Sequence, residues 1–83
     1  REILECFGLD RVEYVGSLAK AGQRHGYVKV EDHVYTVQVG NYMGTDFGVI
    51  TEITPEKIVL DETIQNAEGE WIHRPAEVPL SVK

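Results

Sequence analysis

The sequence predicts an all-β domain: a small antiparallel β-sandwich of six or seven strands with a short N-terminal helical turn. Segments of alternating apolar and polar residues recur at intervals of about ten residues, with turn residues between them, which is typical of sandwiches and small barrels. No stretch of the 83 residues supports a long helix. We therefore expect residues 1–10 to form an N-terminal segment that packs on a β-sandwich domain of residues 11–83.

The N-terminal part of the chain contains a helical turn followed by the first strand. The apolar spacing within residues 2–10 allows one helical turn, and Gly8 interrupts it before a second turn forms. Residues 12–19 alternate as a strand, in which Tyr14 and Leu18 share one face.

The middle of the chain predicts two pairs of strands. Residues 25–30 and 33–39 alternate and are separated by a short polar turn, which is the pattern of a hairpin. Residues 48–53 and 57–64 form the second pair, and Pro55 occupies a favoured position in the tight turn between them.

The C-terminal part predicts two short strands after a polar hairpin loop at residues 65–69. Residues 70–74 return from that loop, and Pro75 and Pro79 flank the last strand. Because proline cannot donate a hydrogen bond to a neighbouring strand, we place this strand at a sheet edge. The apolar faces of all the strands predict a core that includes Leu18, Val28, Val37, Val39, Ile50, Ile58 and Leu60.

The composition excludes several classes of partner. The chain carries fourteen acidic against eight basic residues, a net charge of −6, whereas nucleic acids and anionic membranes attract basic surfaces. An acidic surface instead suits rapid, salt-sensitive binding to a basic protein face. No apolar run approaches the roughly eighteen residues that a membrane helix needs, so this chain itself is not expected to enter a membrane. Because the sequence starts at Arg1, we expect an excised domain whose targeting signal lies upstream.

No constellation of residues predicts catalysis, a metal site or a cofactor. The three histidines lie on separate strands or turns without metal-ligand spacing, and no serine or cysteine has a nucleophile signature. Cys6 is the single cysteine and forms no internal disulfide; we expect it to pack against the core as a small apolar residue.

The loop between the predicted strands at 33–39 and 48–53 is the most informative segment. Residues 39–48 contain three glycines spaced four apart, with two aromatic residues and a methionine between them. We expect positive φ at Gly40 or Gly44, where a β-branched residue would be strained. The glycines do not match a dinucleotide or phosphate loop. A packed loop of this kind is either a docking surface or a structural crossover, and the residues alone favour neither.

Two further residues, Trp71 and Glu62, each have two possible structural interpretations. Trp71 is either the plug of a small core or an exposed anchor for a partner. Glu62 lies on the apolar face of its strand, where it is either a buried partner for Arg74 or a strand-end residue in water. The candidate protein-binding residues are Asn41, Tyr42, Met43, Phe47, Trp71 and Arg74.

Several motifs in order along the chain resemble one family. They are L-E-x-F-x-L-D at residues 4–10, V-G-N-Y-M-G at 39–44 and G-x-W-x-x-R-P at 69–75. Each motif is weak alone, but the last two at this separation are fairly specific. Together they resemble PilP, the family of inner-membrane lipoproteins of type IV pilus biogenesis, and the resemblance covers nearly the whole chain.

The resemblance implies a folded periplasmic domain that links the inner-membrane pilus assembly platform to the outer-membrane secretin. The implied partners are the N-terminal periplasmic domain of the secretin PilQ and the PilN–PilO heterodimer, the latter mainly through a segment upstream of this chain. It also implies an upstream lipid anchor that tethers the domain to the inner membrane, and it carries over no catalytic residue or cofactor. The alternative is a small β-barrel that binds a ligand, which a deep pocket lined by titratable groups would favour.

Overall fold

The computed structural model describes residues 2–81, which contain six β-strands after two short 3-10 turns at Ile3–Cys6 and Leu9–Arg11. The strands are β1 (Glu13–Lys20), β2 (Gln23–Val30), β3 (His33–Val37), β4 (Val49–Ile53), β5 (Lys57–Gln65) and β6 (Trp71–Pro79). Within residues 2–81 there is no helix with the length and apolar character needed to cross a membrane.

The strands form two antiparallel sheets of three, ordered β1-β2-β3 and β4-β5-β6. This architecture confirms the predicted all-β fold class, and successive strands pair because each turn is short. The sheets meet along one margin, where Leu80 forms a parallel bridge to Tyr14 and the Ser81 N–H donates to the Tyr14 carbonyl oxygen over 2.8 Å. The buried Tyr14 hydroxyl also donates to the Thr54 carbonyl oxygen, which links β1 to the turn between β4 and β5.

The core lies between the two sheets and consists of aliphatic side chains with one tyrosine and one methionine. Five predicted core residues are buried: Val28, Val37, Ile50, Ile58 and Leu60. They occupy alternate positions on their strands, so the period-two pattern correctly identified the inner face.

Two predicted core residues are exposed. Leu18 is 55% and Val39 57% exposed. A β-bulge between Tyr14 and Gly16 adds one residue to β1, which turns Leu18 away from the face of Tyr14. Val39 lies beyond the end of β3, where the chain already turns, so strand alternation no longer decides its direction.

Two other expectations from the sequence were wrong. Cys6 is exposed at the end of its 3-10 turn and does not pack as a core residue. The predicted separate strands around Pro75 are one continuous strand, β6. This strand is the edge of its sheet, as predicted, and its outer side tolerates prolines because no neighbouring strand needs their missing N–H.

The corrected core is testable with a matched pair of variants. We expect Leu60→Ala to lower the free energy of unfolding by about 2–5 kcal/mol, because it removes fully buried methyl groups. Leu18→Ala should cost at most about 0.5 kcal/mol, as is usual for exposed positions. Urea denaturation measures both values, and equal losses would contradict the inner face assigned to β1.

Candidate protein-docking surface

The loop between β3 and β4, residues 38–48, is a shaped element that we call the glycine loop. Its backbone pairs with β4: the Gly40 N–H donates to the Ile50 carbonyl oxygen over 2.8 Å, and the Ile50 N–H donates to the Asn41 carbonyl oxygen over 2.9 Å. The Asn41 side chain accepts from the Gln38 N–H at 3.0 Å. Asn41, a candidate binding residue, therefore shapes the loop from within.

The middle of the glycine loop is plugged into the core by Met43. The Met43 side chain is fully buried, and the Met43 backbone N–H donates to the Gly48 carbonyl oxygen over 2.9 Å. The Gly44 N–H donates to the Leu4 carbonyl oxygen over 3.0 Å, which ties the loop to the N-terminal 3-10 turn. A Cβ atom on Gly48 would lie 2.6 Å from the Met43 carbonyl oxygen, so this contact requires glycine. Met43 is thus a core residue and does not contribute to a docking surface.

Positive φ angles shape the loop, as the glycine spacing predicted. Gly40 has φ of 96° and Gly44 has φ of 87°. Phe47 also has a positive φ, 55°, which is rare for a bulky residue and persists only where surrounding contacts fix the backbone. Such backbone outliers concentrate at functional sites, which directs attention to Phe47.

A buried carboxylate lies beneath the loop and is neutralised by one arginine. Glu62 and Arg74 are direct neighbours across β5 and β6. The Arg74 Nη2 and Nε atoms lie 2.7 and 3.1 Å from the Glu62 Oε1 atom, and the Glu62 side chain is only 5% exposed. The hydrogen bond and charge of Glu62, followed by the charge of Asp46, raise the pKa of Arg74 above its usual value. Of the two interpretations of Glu62, the structure shows the buried ion pair.

The same arginine reaches the glycine loop. The Arg74 Nη2 atom lies 3.2 Å from the Asp46 Oδ2 atom. The Asp46 carbonyl oxygen accepts from the Thr63 N–H at 2.9 Å, so the loop continues the pairing of β4 with β5. Arg74, Glu62 and Asp46 therefore form an ion cluster that joins β5, β6 and the loop, and Arg74 is a structural residue with half of its side chain exposed.

Next to this cluster, Phe47 and Trp71 form an exposed aromatic pair. Their ring centroids are 6.3 Å apart with planes at 79°, an edge-to-face contact. Phe47 is 57% and Trp71 61% exposed, so Trp71 is not the core plug. Two large aromatic side chains held together in water are typical of the centre of a protein interface.

The sequence named both aromatic residues but did not show that they meet. Trp71 begins β6, while Phe47 is placed by the positive φ and by the extension of β4 pairing. Neither the positive φ nor the extended pairing produces a periodic pattern in the sequence. Tyr42 is exposed too; its N–H donates to the Glu2 Oε1 atom at 3.3 Å, and it bridges to Val49.

A separate concave feature is an open groove lined by residues of both sheets and of the loops next to them. Its volume is about 360 Å³, and its lining includes Arg24, Val39, Thr51, Glu52 and Ile53. Within residues 2–81, no three His, Cys, Asp or Glu side chains come together as metal ligands. The walls of the groove are partly polar and partly apolar, and they carry one basic residue, Arg24, and one acidic residue, Glu52.

Comparison with known proteins points to a single family. A family model described as "Pilus assembly protein, PilP" matches residues 1–80. The chain is 34% identical over 80 residues to the type IV pilus inner membrane component PilP of Pseudomonas aeruginosa, covering 96% of this chain and 46% of that protein. The chain therefore spans less than half the length of this curated relative.

Solved structures give the same result. A domain of the type IV pilus biogenesis lipoprotein PilP from Pseudomonas aeruginosa is 34% identical, with a TM-score of 0.86 over 96% of this chain and 92% of that one. A domain of the PilP pilot protein of Neisseria meningitidis is 44% identical, with a TM-score of 0.76 over 96% of this chain and 71% of that one. These likenesses extend over both sheets and the loop.

The glycine loop yields a prediction that ranks two substitutions. Gly40→Val should cost about 1–3 kcal/mol through backbone strain alone, since a Cβ there meets no atom within 4 Å. Gly44→Val should cost more, because its Cβ would also lie 2.9 Å from the Leu9 Cδ2 atom. Thermal unfolding measures the order, and two unchanged melting temperatures would refute the assigned loop conformation.

The ion cluster yields a second prediction. Arg74→Met keeps much of the apolar stem but leaves the Glu62 carboxylate buried without its cation, so the urea midpoint should fall clearly. Adding Glu62→Leu should recover most of the loss, because an apolar pair needs no neutralisation. Lys57→Met is the control: it breaks the exposed pair with Glu77 on the same two strands and should change little. A control loss as large as that of Arg74→Met would contradict the special role of Glu62.

Proposed function

The chain belongs to the PilP family of pilus assembly proteins, and on that basis we propose that it is a non-enzymatic periplasmic adaptor of type IV pilus biogenesis. It links the inner-membrane assembly platform to the outer-membrane secretin by binding the N-terminal periplasmic domain of PilQ. The observation that carries this proposal is the exposed Phe47–Trp71 pair, which the glycine loop and the ion cluster hold in a defined place.

The surroundings of the pair suit a contact made with a folded partner. Trp71 is the first residue of β6, the edge strand of its sheet. An edge strand offers unpaired backbone groups to an incoming strand, while nearby side chains select the partner. Phe47 and Trp71 therefore provide apolar anchors beside the part of β6 before Pro75, where the outer edge keeps its N–H donors. Each contact is small, and an adaptor repeated around a ring gains avidity from multivalency.

The relatives support a location at the inner membrane. The Pseudomonas aeruginosa relative is an inner membrane component, and the solved domain comes from a lipoprotein. We propose that an upstream lipid anchor tethers this domain to the inner membrane and that an upstream segment makes most of the contact with PilN–PilO. The domain described above then remains free to reach the secretin.

A ligand-binding barrel is the rival function, and the groove at Arg24 and Glu52 is where a ligand would enter. A binding pocket for a small molecule is usually concave and mostly apolar, with a few convergent polar groups. The groove is open and has both polar and apolar walls, whereas Phe47 and Trp71 are exposed apolar anchors. This contrast favours the adaptor.

The adaptor is tested by titrating the ¹⁵N-labelled domain with the N-terminal periplasmic domain of the secretin. We expect chemical-shift changes at Phe47, Trp71 and the free edge of β6, with weaker binding by Phe47→Ala and Trp71→Ala. Leu18→Ala is the matched control, since it truncates an equally exposed apolar residue on the other sheet. Shifts confined to the groove at Arg24 and Glu52 would discard this face. No binding to the secretin, with PilN–PilO binding intact, would discard the partner.

A further inference from the structure

Among residues 2–81, no basic side chain stacks on the exposed indole of Trp71. Within residues 2–81 the cation–π contact is made elsewhere, by the Arg11 guanidinium 5.5 Å from the centre of the Phe7 ring. Arg74, the nearest arginine on β6, is held by Glu62 and Asp46. Tryptophan is the best aromatic acceptor for a cation, so a strong site is left open at the docking surface.

The loop that precedes Trp71 carries acidic residues. The hairpin loop that leads into β6 carries Glu68 and Glu70, which are exposed and form no ion pair among residues 2–81. Asn66 shapes this loop, since its Oδ1 atom accepts the N–H groups of both glutamates at 3.0 and 2.9 Å. Both carboxylates are therefore carried on an ordered turn directly before the indole.

The basic side chains that follow Trp71 on the same strand already have acidic partners. The His73 Nδ1 atom lies 2.9 Å from the Asp61 Oδ2 atom, and Arg74 is bound in the ion cluster. The unbalanced charge at this end of the sheet is thus negative. An incoming cation would meet an aromatic ring and the negative potential of the two glutamates on the preceding loop.

We propose that Trp71 receives an arginine side chain of the partner, stacked on the exposed indole, and that the carboxylates of Glu68 and Glu70 on the preceding loop attract this cation through their negative potential. Arginine fits better than lysine because its planar guanidinium stacks on aromatic rings and is less strongly hydrated. Phe47 then packs against apolar atoms beside that arginine. This inference rests on the proposed function for the identity of the partner, the secretin domain, and adds that its docking segment is basic.

The site is tested first without any protein partner. Acetyl-arginine-methylamide should shift the Trp71 indole N–H resonance, whereas the citrulline analogue, its neutral isostere, should not at the same concentration. The shift should shrink in Glu68→Gln/Glu70→Gln, a variant that keeps the loop's hydrogen-bonding oxygens. Equal shifts from the two analogues, or none from arginine, would overturn the proposed cation site.

The secretin domain provides the second test. We expect Trp71→Leu, which keeps an apolar side chain but removes the ring, to weaken binding about fivefold to tenfold. Glu68→Gln/Glu70→Gln should weaken it several-fold and flatten its dependence on salt. The control Glu52→Gln/Glu56→Gln removes the same number of exposed charges at the other end of the sheet and should have less than half that effect.

The arginine site at Trp71 and the proposed secretin partner can each be contradicted independently of the other. Secretin binding that Trp71→Leu and both double variants leave equally strong would overturn the arginine site while the adaptor function stands. An arginine-specific shift of the indole with no secretin binding would overturn the proposed partner and support the site.

Discussion

The Glu62 carboxylate is the constraint on which the arrangement of this domain depends. A charge buried beneath the glycine loop is costly unless it is paired and hydrogen-bonded, and Arg74 supplies both requirements from the neighbouring strand. Because Arg74 also reaches Asp46, the neutralisation of Glu62 fixes the glycine loop against β5 and β6. An apolar pair in place of Glu62 and Arg74 would fill the same space but would remove the contact between Arg74 and Asp46 that holds the loop.

The glycine loop, fixed in this way, presents one half of the docking surface. Met43 anchors it in the core, and glycines allow the backbone turns that a side chain would block. Phe47 is left on the outside at a positive φ, in edge-to-face contact with Trp71. Binding that needs no ordering of the loop loses less conformational entropy, which suits an adaptor making many small contacts. Rigidity, rather than contact area, is therefore what the fold contributes to docking.

The sequence predicted most of the fold because strand alternation and turn residues are local signals. It failed where the backbone departs from regular pairing. The bulge in β1 reversed the direction of Leu18; Gly16 lies at that bulge, and a glycine within a strand is a known but non-specific sign of one. The docking pair was predicted only as separate candidates, since the contact of Phe47 with Trp71 depends on a left-handed residue and on pairing across three strands. The buried pair of Glu62 and Arg74 was one of two possible interpretations of the sequence. The alternation of apolar and polar residues cannot by itself distinguish a buried position in the middle of a strand from a solvent-exposed position at its end.

The most direct test of a preformed docking loop is ¹⁵N relaxation of the free domain, read at residues 41–48. We predict backbone order parameters near those of the strands, about 0.85, because hydrogen bonds, the Met43 plug and the ion cluster all hold this segment. Values below about 0.6 across the loop would show that it is flexible before binding and would contradict a docking surface built into the fold.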